Sequence, residues 1–115
     1  MVKRKGSYKV DRNEKLRGGD GVVVLEHLLT PDEFSDIGRF FARFTMDPGA
    51  SIGPHVHENE MELFFIIDGE AEYLDGDEWV TLLPGDTALN PKGGNHSIKS
   101  VGDRPLELIA VTLHR

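Results

Sequence analysis

Short apolar segments alternate with turn-forming residues along most of the chain. Glycine, proline and aspartate dominate the turns, and the segments between them favour β-structure. The clearest segments are Val22–Leu29, Arg39–Met46, Glu62–Ile67, Glu78–Leu83 and Leu106–Leu113. Many short strands at regular intervals predict an all-β sandwich or barrel. The Asp-Gly pairs at 68–69 and 75–76 each predict a tight hairpin.

One helical signal interrupts this pattern. Thr30 is a suitable N-cap, Pro31 suits the first helical position, and Glu33 stands three residues after the cap. These residues predict a short helix over Pro31–Ile37 that ends at Gly38. The fold class expected from the pattern is therefore all-β with one short helix near the N-terminus.

The segment Arg39–Met46 also predicts how its strand is covered. A two-residue period places Phe40, Ala42, Phe44 and Met46 on one face. The opposite face is still partly apolar. We therefore expect a sheet covered on both faces, the outer one by a second subunit.

Length and composition narrow the class of protein. The chain has 115 residues, which suits one domain, and no cysteine, which excludes disulfides and thiolate metal sites. No apolar run approaches the ~20 residues that cross a bilayer, and polar sequence follows the basic first residues. We expect a cytoplasmic protein with no membrane partner.

The net charge of −7 is unevenly distributed. Residues 1–17 carry seven basic and two acidic residues, whereas the remainder carries six basic and eighteen acidic ones. An acidic body repels phosphate backbones, so no nucleic acid partner is expected. We interpret residues 1–17 as a basic N-terminal arm, solvated or packed against a subunit, and residues 18–115 as a single domain.

Three histidines and a carboxylate have the spacing of metal ligands. His55 and His57 point to the same side of an extended strand, and Glu62 can return on the next strand. His96 follows a tight turn further along the chain. Imidazole nitrogens and a carboxylate oxygen suit a divalent first-row metal (Mn, Fe, Co, Ni, Cu or Zn), and the lack of thiolates favours its harder members.

Nearby carboxylates and the other histidines leave alternatives open. Strand parity does not exclude Glu58 or Glu60 as the acidic ligand, although a solvated turn is the ordinary interpretation of both. His27 and His114 lie outside the cluster, and we expect no functional role for them.

The spacing resembles two motifs of the cupin superfamily. The first motif, G-x5-H-x-H-x3–4-E-x6-G, is matched by Gly49, His55, His57, Glu62 and Gly69. The second, G-x5-P-x-G-x2-H-x3-N, is matched by Gly85, Pro91, Gly93 and His96, with Ser100 in place of the final asparagine. The resemblance implies a small single-domain cupin, in which residues 18–115 form an antiparallel jelly-roll β-barrel. It also implies a homodimer, and a metal held near the barrel mouth by His55, His57, Glu62 and His96, which favours Glu62 over its neighbours.

The resemblance implies one divalent metal per chain, Mn, Fe, Ni, Co or Zn, with two coordination positions left open on an octahedral ion. We expect a metalloenzyme that acts on a small carboxylate or other small organic substrate, of the decarboxylase or dioxygenase type. Two alternatives stay open. One is a non-catalytic module that binds or senses a small ligand. The other is an isomerase of a sugar or small metabolite, which would need an additional base such as Tyr73.

An anionic ligand would need a cation beside the metal. Arg43 is the preferred candidate because it lies in an otherwise apolar strand, and Arg39, Lys92 and Lys99 are also available. Candidate cavity-lining residues, each more typical of an ordinary core, are Phe41, Phe64, Ile66, Trp79 and Ile98.

Overall fold

The computed structural model describes residues 1–114. Within them the chain forms ten strands, one short helix α1 (Pro31–Phe34) and a 3-10 turn at Leu16–Gly18. The strands are β1 (Lys9–Glu14), β2 (Val22–Leu29), β3 (Phe41–Met46), β4 (Ser51–Val56), β5 (Met61–Asp68), β6 (Ala71–Asp75), β7 (Glu78–Leu82), β8 (Thr87–Asn90), β9 (Asn95–Ser100) and β10 (Leu106–Leu113).

The strands form two antiparallel sheets. The larger sheet has the order β1-β2-β3-β10-β5-β8, and the smaller has the order β4-β9-β6-β7. In the described part of the chain no strand pair joins the two sheets, so backbone hydrogen bonds do not close the barrel. The arrangement is the antiparallel jelly roll that was expected.

The core lies between the inner faces of the two sheets. In β3, buried residues alternate with half-exposed ones, and Phe44 and Met46 point inward. They form one cluster with residues of the opposite sheet such as Ile52 and Ile98. The two-residue period seen in the sequence is therefore the inside–outside alternation of a sheet with one face in the core.

Predicted and observed elements agree most closely at β2 and β10, whose bounds are those expected. The helix begins as expected, because Thr30 and Glu33 form a capping box. It ends at Phe34, earlier than Gly38, because Ser35 adopts a φ of 58° that takes the backbone out of the helical region.

Only one of the two predicted hairpins is present. At Asp75–Gly76 the prediction is confirmed: β6 pairs with β7, and Gly76 has a φ of 67°. At Asp68–Gly69 it is wrong, because β5 and β6 belong to different sheets. Gly69 also has a positive φ, of 87°, but it turns the chain from one sheet to the other.

Part of the predicted basic arm belongs to the larger sheet. Lys9–Glu14 forms β1, which pairs with β2 along its whole length, and Lys3 forms an ion pair with Glu33. The division of the chain at residue 17 stays a prediction. None of the described helices has the length and apolar character needed to span a membrane.

Candidate metal centre and adjoining cavity

The smaller sheet brings two of the histidines together. β4 and β9 are antiparallel neighbours, and their register sets His55 directly opposite His96. Residues directly opposite each other project from the same face of a sheet, so their rings meet. His57 lies just beyond the end of β4. Backbone hydrogen bonds hold it there, from Gly93 N–H to the His57 carbonyl (2.6 Å) and from His57 N–H to the Gly94 carbonyl (3.2 Å).

The larger sheet supplies the carboxylate. Glu62 lies on β5 and shares the inward face of that strand with Phe64 and Ile66, and it is buried like them. The Phe64 ring also stacks on His96, with 5.3 Å between ring centroids and an interplanar angle of 19°. Both sheets therefore contribute to one site.

The four side chains direct their ligand atoms at one point. The three imidazole Nε2 atoms lie 2.9 Å (His55–His57), 3.1 Å (His57–His96) and 3.1 Å (His55–His96) apart. Glu62 Oε1 lies 3.0 Å from Nε2 of both His57 and His96. With metal–nitrogen bonds of about 2.1 Å, ligands at right angles stand about 3.0 Å apart and tetrahedral ligands about 3.4 Å. The observed spacing therefore suits an octahedral ion better than a tetrahedral one.

The outer ring nitrogens explain why the Nε2 atoms can serve as ligands. His55 Nδ1–H donates to the Gly53 carbonyl (2.7 Å), and His57 Nδ1–H donates to Glu60 Oε1 (2.8 Å). Because both partners only accept, each of these rings presents an Nε2 lone pair to the centre. Nδ1 of His96 lies 2.9 Å from the Tyr73 hydroxyl, which is able to accept in the same way. This is the orientation that metal-bound histidines require.

The electrostatics of the group also suit a cation. Burial lowers the pKa of His55 to about 4, which keeps that ring neutral. The pKa of His57 is raised, mainly by its hydrogen bond with Glu62. Burial acts to raise the pKa of Glu62, but in the metal-free protein, where an Nε2 proton is available, hydrogen bonds with His57 and His96 outweigh it and lower the pKa to about 2. The group thus places a carboxylate that ionises readily beside imidazole nitrogens, and a divalent ion would displace the proton that His57 shares with Glu62.

Glu60 is a residue whose role the sequence did not reveal. Its interpretation as part of a solvated turn is wrong: it is buried, receives the His57 hydrogen bond, and accepts two hydrogen bonds at Oε1 from Arg39, from Nε (3.1 Å) and Nη2 (2.7 Å). Burial acts to raise the pKa of Glu60, but these hydrogen bonds lower it overall. Glu58 is exposed, as expected. The sequence offered one indication of this contact, because Glu60 follows the candidate ligand His57 by only three residues.

A cavity of about 310 Å³ adjoins the metal-binding group. His55, His57 and Glu62 lie in its wall. Its apolar lining consists of Leu16, Leu25, Pro31, Phe40, Phe44, Ile52 and Phe64, and its polar lining includes Asp11, Asn13, Arg17, His27 and Arg39. Of the five residues that the sequence suggested for the cavity lining, all within the described residues, Phe64 alone lines this cavity. Phe41, Ile66, Trp79 and Ile98 do not line it.

The candidate cations divide between the two faces of the larger sheet. Arg43 projects away from the cavity, because Ala42 and Phe44 occupy the inward positions of β3. It pairs there with Glu107 (3.1 Å) and Glu26 (3.6 Å), so its position gives no support to a role in substrate binding. Arg39 instead lines the cavity.

The remaining candidate cations lie elsewhere. Lys99 stands over the Trp79 ring, 4.4 Å from its centroid, and Lys92 is exposed. His114 is also exposed, but His27 is buried in the cavity wall, which its interpretation as a residue outside the cluster did not anticipate.

Comparison with known proteins agrees with this geometry. The sequence model described as Cupin domain matches residues 42–112. A Thermotoga maritima protein named oxalate-binding protein is 36% identical over 98% of this chain and 93% of its own length. A crystal structure from Thermotoga maritima, described as a predicted oxalate decarboxylase, superposes with a TM-score of 0.94 at 36% identity, covering 100% of both chains. A Klebsiella pneumoniae protein with a double-stranded β-helix domain has a TM-score of 0.71 at 25% identity, covering 80% of this chain and 72% of that one.

Proposed function

Since this chain belongs to the cupin family, we propose that it is a metal-dependent enzyme that acts on a small carboxylic acid, by decarboxylation or oxygenation. The observation that carries the proposal is the convergence of three imidazole nitrogens and one carboxylate oxygen at the wall of a cavity. A buried site of this composition that opens onto a cavity suits the binding of an ion and of a ligand beside it.

In this proposal His55, His57, Glu62 and His96 hold one divalent ion, of Mn, Fe, Co, Ni or Zn. The bound ion would act as a Lewis acid and orient a substrate carboxylate. The apolar cavity walls would exclude water from the reacting end of the substrate, and Arg39 lies in the cavity lining with its guanidinium paired to Glu60.

The names of the Thermotoga relatives support a small dicarboxylate as a ligand. One is called oxalate-binding and the other is described as a predicted oxalate decarboxylase. Oxalate is therefore the first compound to test on this chain.

Binding without turnover is the second candidate function. It is favoured by the state of Glu60, the buried carboxylate beside Glu62. Glu60 is engaged by both His57 and Arg39 and is not free to transfer protons to a substrate. An isomerase receives no such support, because the Tyr73 hydroxyl contacts His96 and Tyr73 does not line the cavity.

Elemental analysis of protein purified without added metal tests the metal site. We expect about one equivalent of a first-row metal per chain, absent from a His55→Ala/His57→Ala variant and retained in His114→Ala, which alters an exposed histidine. Oxygen consumption and carbon dioxide release with oxalate and other small acids then separate the two candidates. Metal-dependent turnover supports the enzyme, whereas binding with neither product supports the binding module. Failure to take up any metal at neutral pH would exclude the metalloenzyme and leave ligand binding without a metal.

We also propose that the protein is a homodimer. The outer face of β5 exposes Leu63, Phe65 and Ile67, and Leu89 of the neighbouring β8 is exposed as well. A contiguous apolar face of this kind favours burial against a second copy. Light scattering should give twice the mass of the chain. Phe65→Asp should give a monomer, whereas Val80→Asp, at a similarly exposed site on β7, should not.

A further inference from the structure

His27 is a buried polar residue that the metal-binding group does not use. It lies on β2 and shares the inward face of that strand with Val23 and Leu25. Its side chain is only 9% exposed, yet it lines the same cavity as His55, His57 and Glu62. It therefore faces the ligand space from the larger sheet.

Asp11 determines which nitrogen of His27 carries the proton. His27 Nε2 lies 2.6 Å from Asp11 Oδ2, and a carboxylate oxygen accepts, so Nε2 is the donor. A neutral ring then has its lone pair at Nδ1. That atom is buried and has no hydrogen-bond partner in residues 1–114. An unpaired buried polar atom is unfavourable, and such atoms are normally paired with another protein group, a ligand or ordered water.

The surroundings of His27 extend this polar region. Asp11 and Asn13 both line the cavity from β1, where they stand opposite Leu25 and Val23 of β2. A strand that faced only core would present apolar residues there. Apart from these residues and the metal-binding group the lining is mainly apolar, with side chains such as Leu25, Phe40, Phe44 and Phe64, and it also includes Arg17 and Arg39.

The cavity is larger than oxalate requires. Its volume of about 310 Å³ corresponds to about ten water molecules at ~30 Å³ each. A ligand that fills it would be longer than oxalate and would contact the apolar side chains of the lining as well as its polar ones.

We propose that His27, oriented by Asp11, is a second ligand-binding group. The ligand is then a carboxylic acid with an apolar middle and a hydrogen-bond donor, such as a hydroxyl, at its far end. The carboxylate end rests on the proposed function of the metal-binding group. The hydroxyl end rests on His27 and Asp11 alone.

Calorimetry on the full chain loaded with Mn²⁺ tests this assignment. The probes are 4-hydroxybutanoate, 5-hydroxypentanoate and 6-hydroxyhexanoate, each paired with the acid that lacks the hydroxyl. Oxalate reports on the metal end. One added hydrogen bond should make at least one hydroxy acid bind about five- to tenfold more tightly than its partner. His27→Phe should abolish this preference and leave oxalate affinity unchanged, whereas His114→Phe should retain it.

Asp11→Asn provides a second variant that preserves shape. An asparagine side chain is able to donate to Nε2, so the tautomer is no longer fixed and the preference for hydroxy acids should fall. A wild-type protein with no such preference, or a preference that survives in both His27→Phe and Asp11→Asn, would overturn the inference while oxalate binding continued to support the proposed function. If the wild type did not bind oxalate at all, the proposed function would be overturned, and this inference with it.

Discussion

Glu60 gives the sharpest test of how the metal-binding group is assembled. Its carboxylate accepts the Nδ1–H of His57 at 2.8 Å and also pairs with Arg39. It does not belong to the four predicted ligands, so its replacement leaves all of their atoms in place. Any loss of metal affinity in a Glu60 variant therefore measures orientation and basicity of the His57 ring.

The expected magnitude follows from the contacts that are lost. Loss of a carboxylate behind a metal-bound histidine typically weakens metal affinity by about 10–100-fold, or about 1.4–2.7 kcal/mol. Glu60→Gln should lie near the lower value, because an amide oxygen still accepts the hydrogen bond but without charge assistance. Glu60→Ala should lie near the upper value, because it leaves His57 Nδ1–H without this acceptor.

Competition against a coloured chelator measures the affinity directly, and thermal unfolding provides a second readout. Metal at one hundred times Kd stabilises the wild type by about 2.7 kcal/mol, and a tenfold weaker variant at the same concentration by about 1.4 kcal/mol. At roughly 4 °C per kcal/mol for a chain of this size, the metal-induced rise in Tm should shrink by about 5 °C.

Glu58→Gln is the matched control, since it removes an exposed carboxylate two residues away. It should behave like the wild type in both assays. If Glu60→Ala bound metal as tightly as Glu58→Gln, the hydrogen bond to His57 would have no part in positioning the ligand, and the reasoning above would be refuted.

Three further predictions concern the backbone, the buried phenol and pH. A methyl group at Gly53 would lie 2.0 Å from the Arg17 carbonyl oxygen, so Gly53→Ala should lower the free energy of unfolding by about 1–3 kcal/mol. Gly102→Ala is the control, because its methyl group would have its nearest neighbour at 3.5 Å and should cause no such loss. Thermal unfolding of both variants tests this prediction. Burial raises the pKa of Tyr73, so this tyrosine ionises at lower pH in the unfolded chain than in the folded protein. The metal-free protein should therefore lose stability as pH rises above about 10. Absorbance at alkaline pH should show a late phenol ionisation that is absent from Tyr73→Phe. The raised pKa of His57 means that a proton competes with the metal, so metal affinity should fall as pH decreases from 8 to 5; a constant affinity over that range would contradict the assignment of this ligand.

The sequence predicted what depends on local pattern. The bounds of β2 and β10 follow from runs of β-favouring residues between turn-forming ones, and the start of α1 follows from the capping residues at Thr30 and Glu33. The metal-binding group was predicted because His55, His57 and Glu62 match the first cupin motif and His96 matches the second. The structure brings these four together and adds their common point of convergence.

The pairing of strands that are distant in sequence could not be predicted from local residue patterns. Asp68–Gly69 has the residues of a tight hairpin, but the chain changes sheets there, and a dipeptide carries no information about which strands pair. Glu60 and Glu58 look alike in sequence, and only the approach of Arg39 and the His57 ring distinguishes them. His27 became notable for the same reason, since Asp11 reaches it from a strand that the sequence did not predict.

The metal-binding group draws its members from both sheets, and this has a mechanical consequence. His55 and His96 are neighbours in the smaller sheet, whereas Glu62 belongs to the larger one, and no strand pairing joins the sheets in residues 1–114. A bound ion would link the two sheets, which otherwise contact each other only through side chains and connecting segments, and would close loops of up to 41 residues between its ligands. Neither layer alone holds a complete set of ligands, so the layers cannot slide apart while the ion stays fully coordinated. The rate of metal exchange would then report how often the two halves of the sandwich separate.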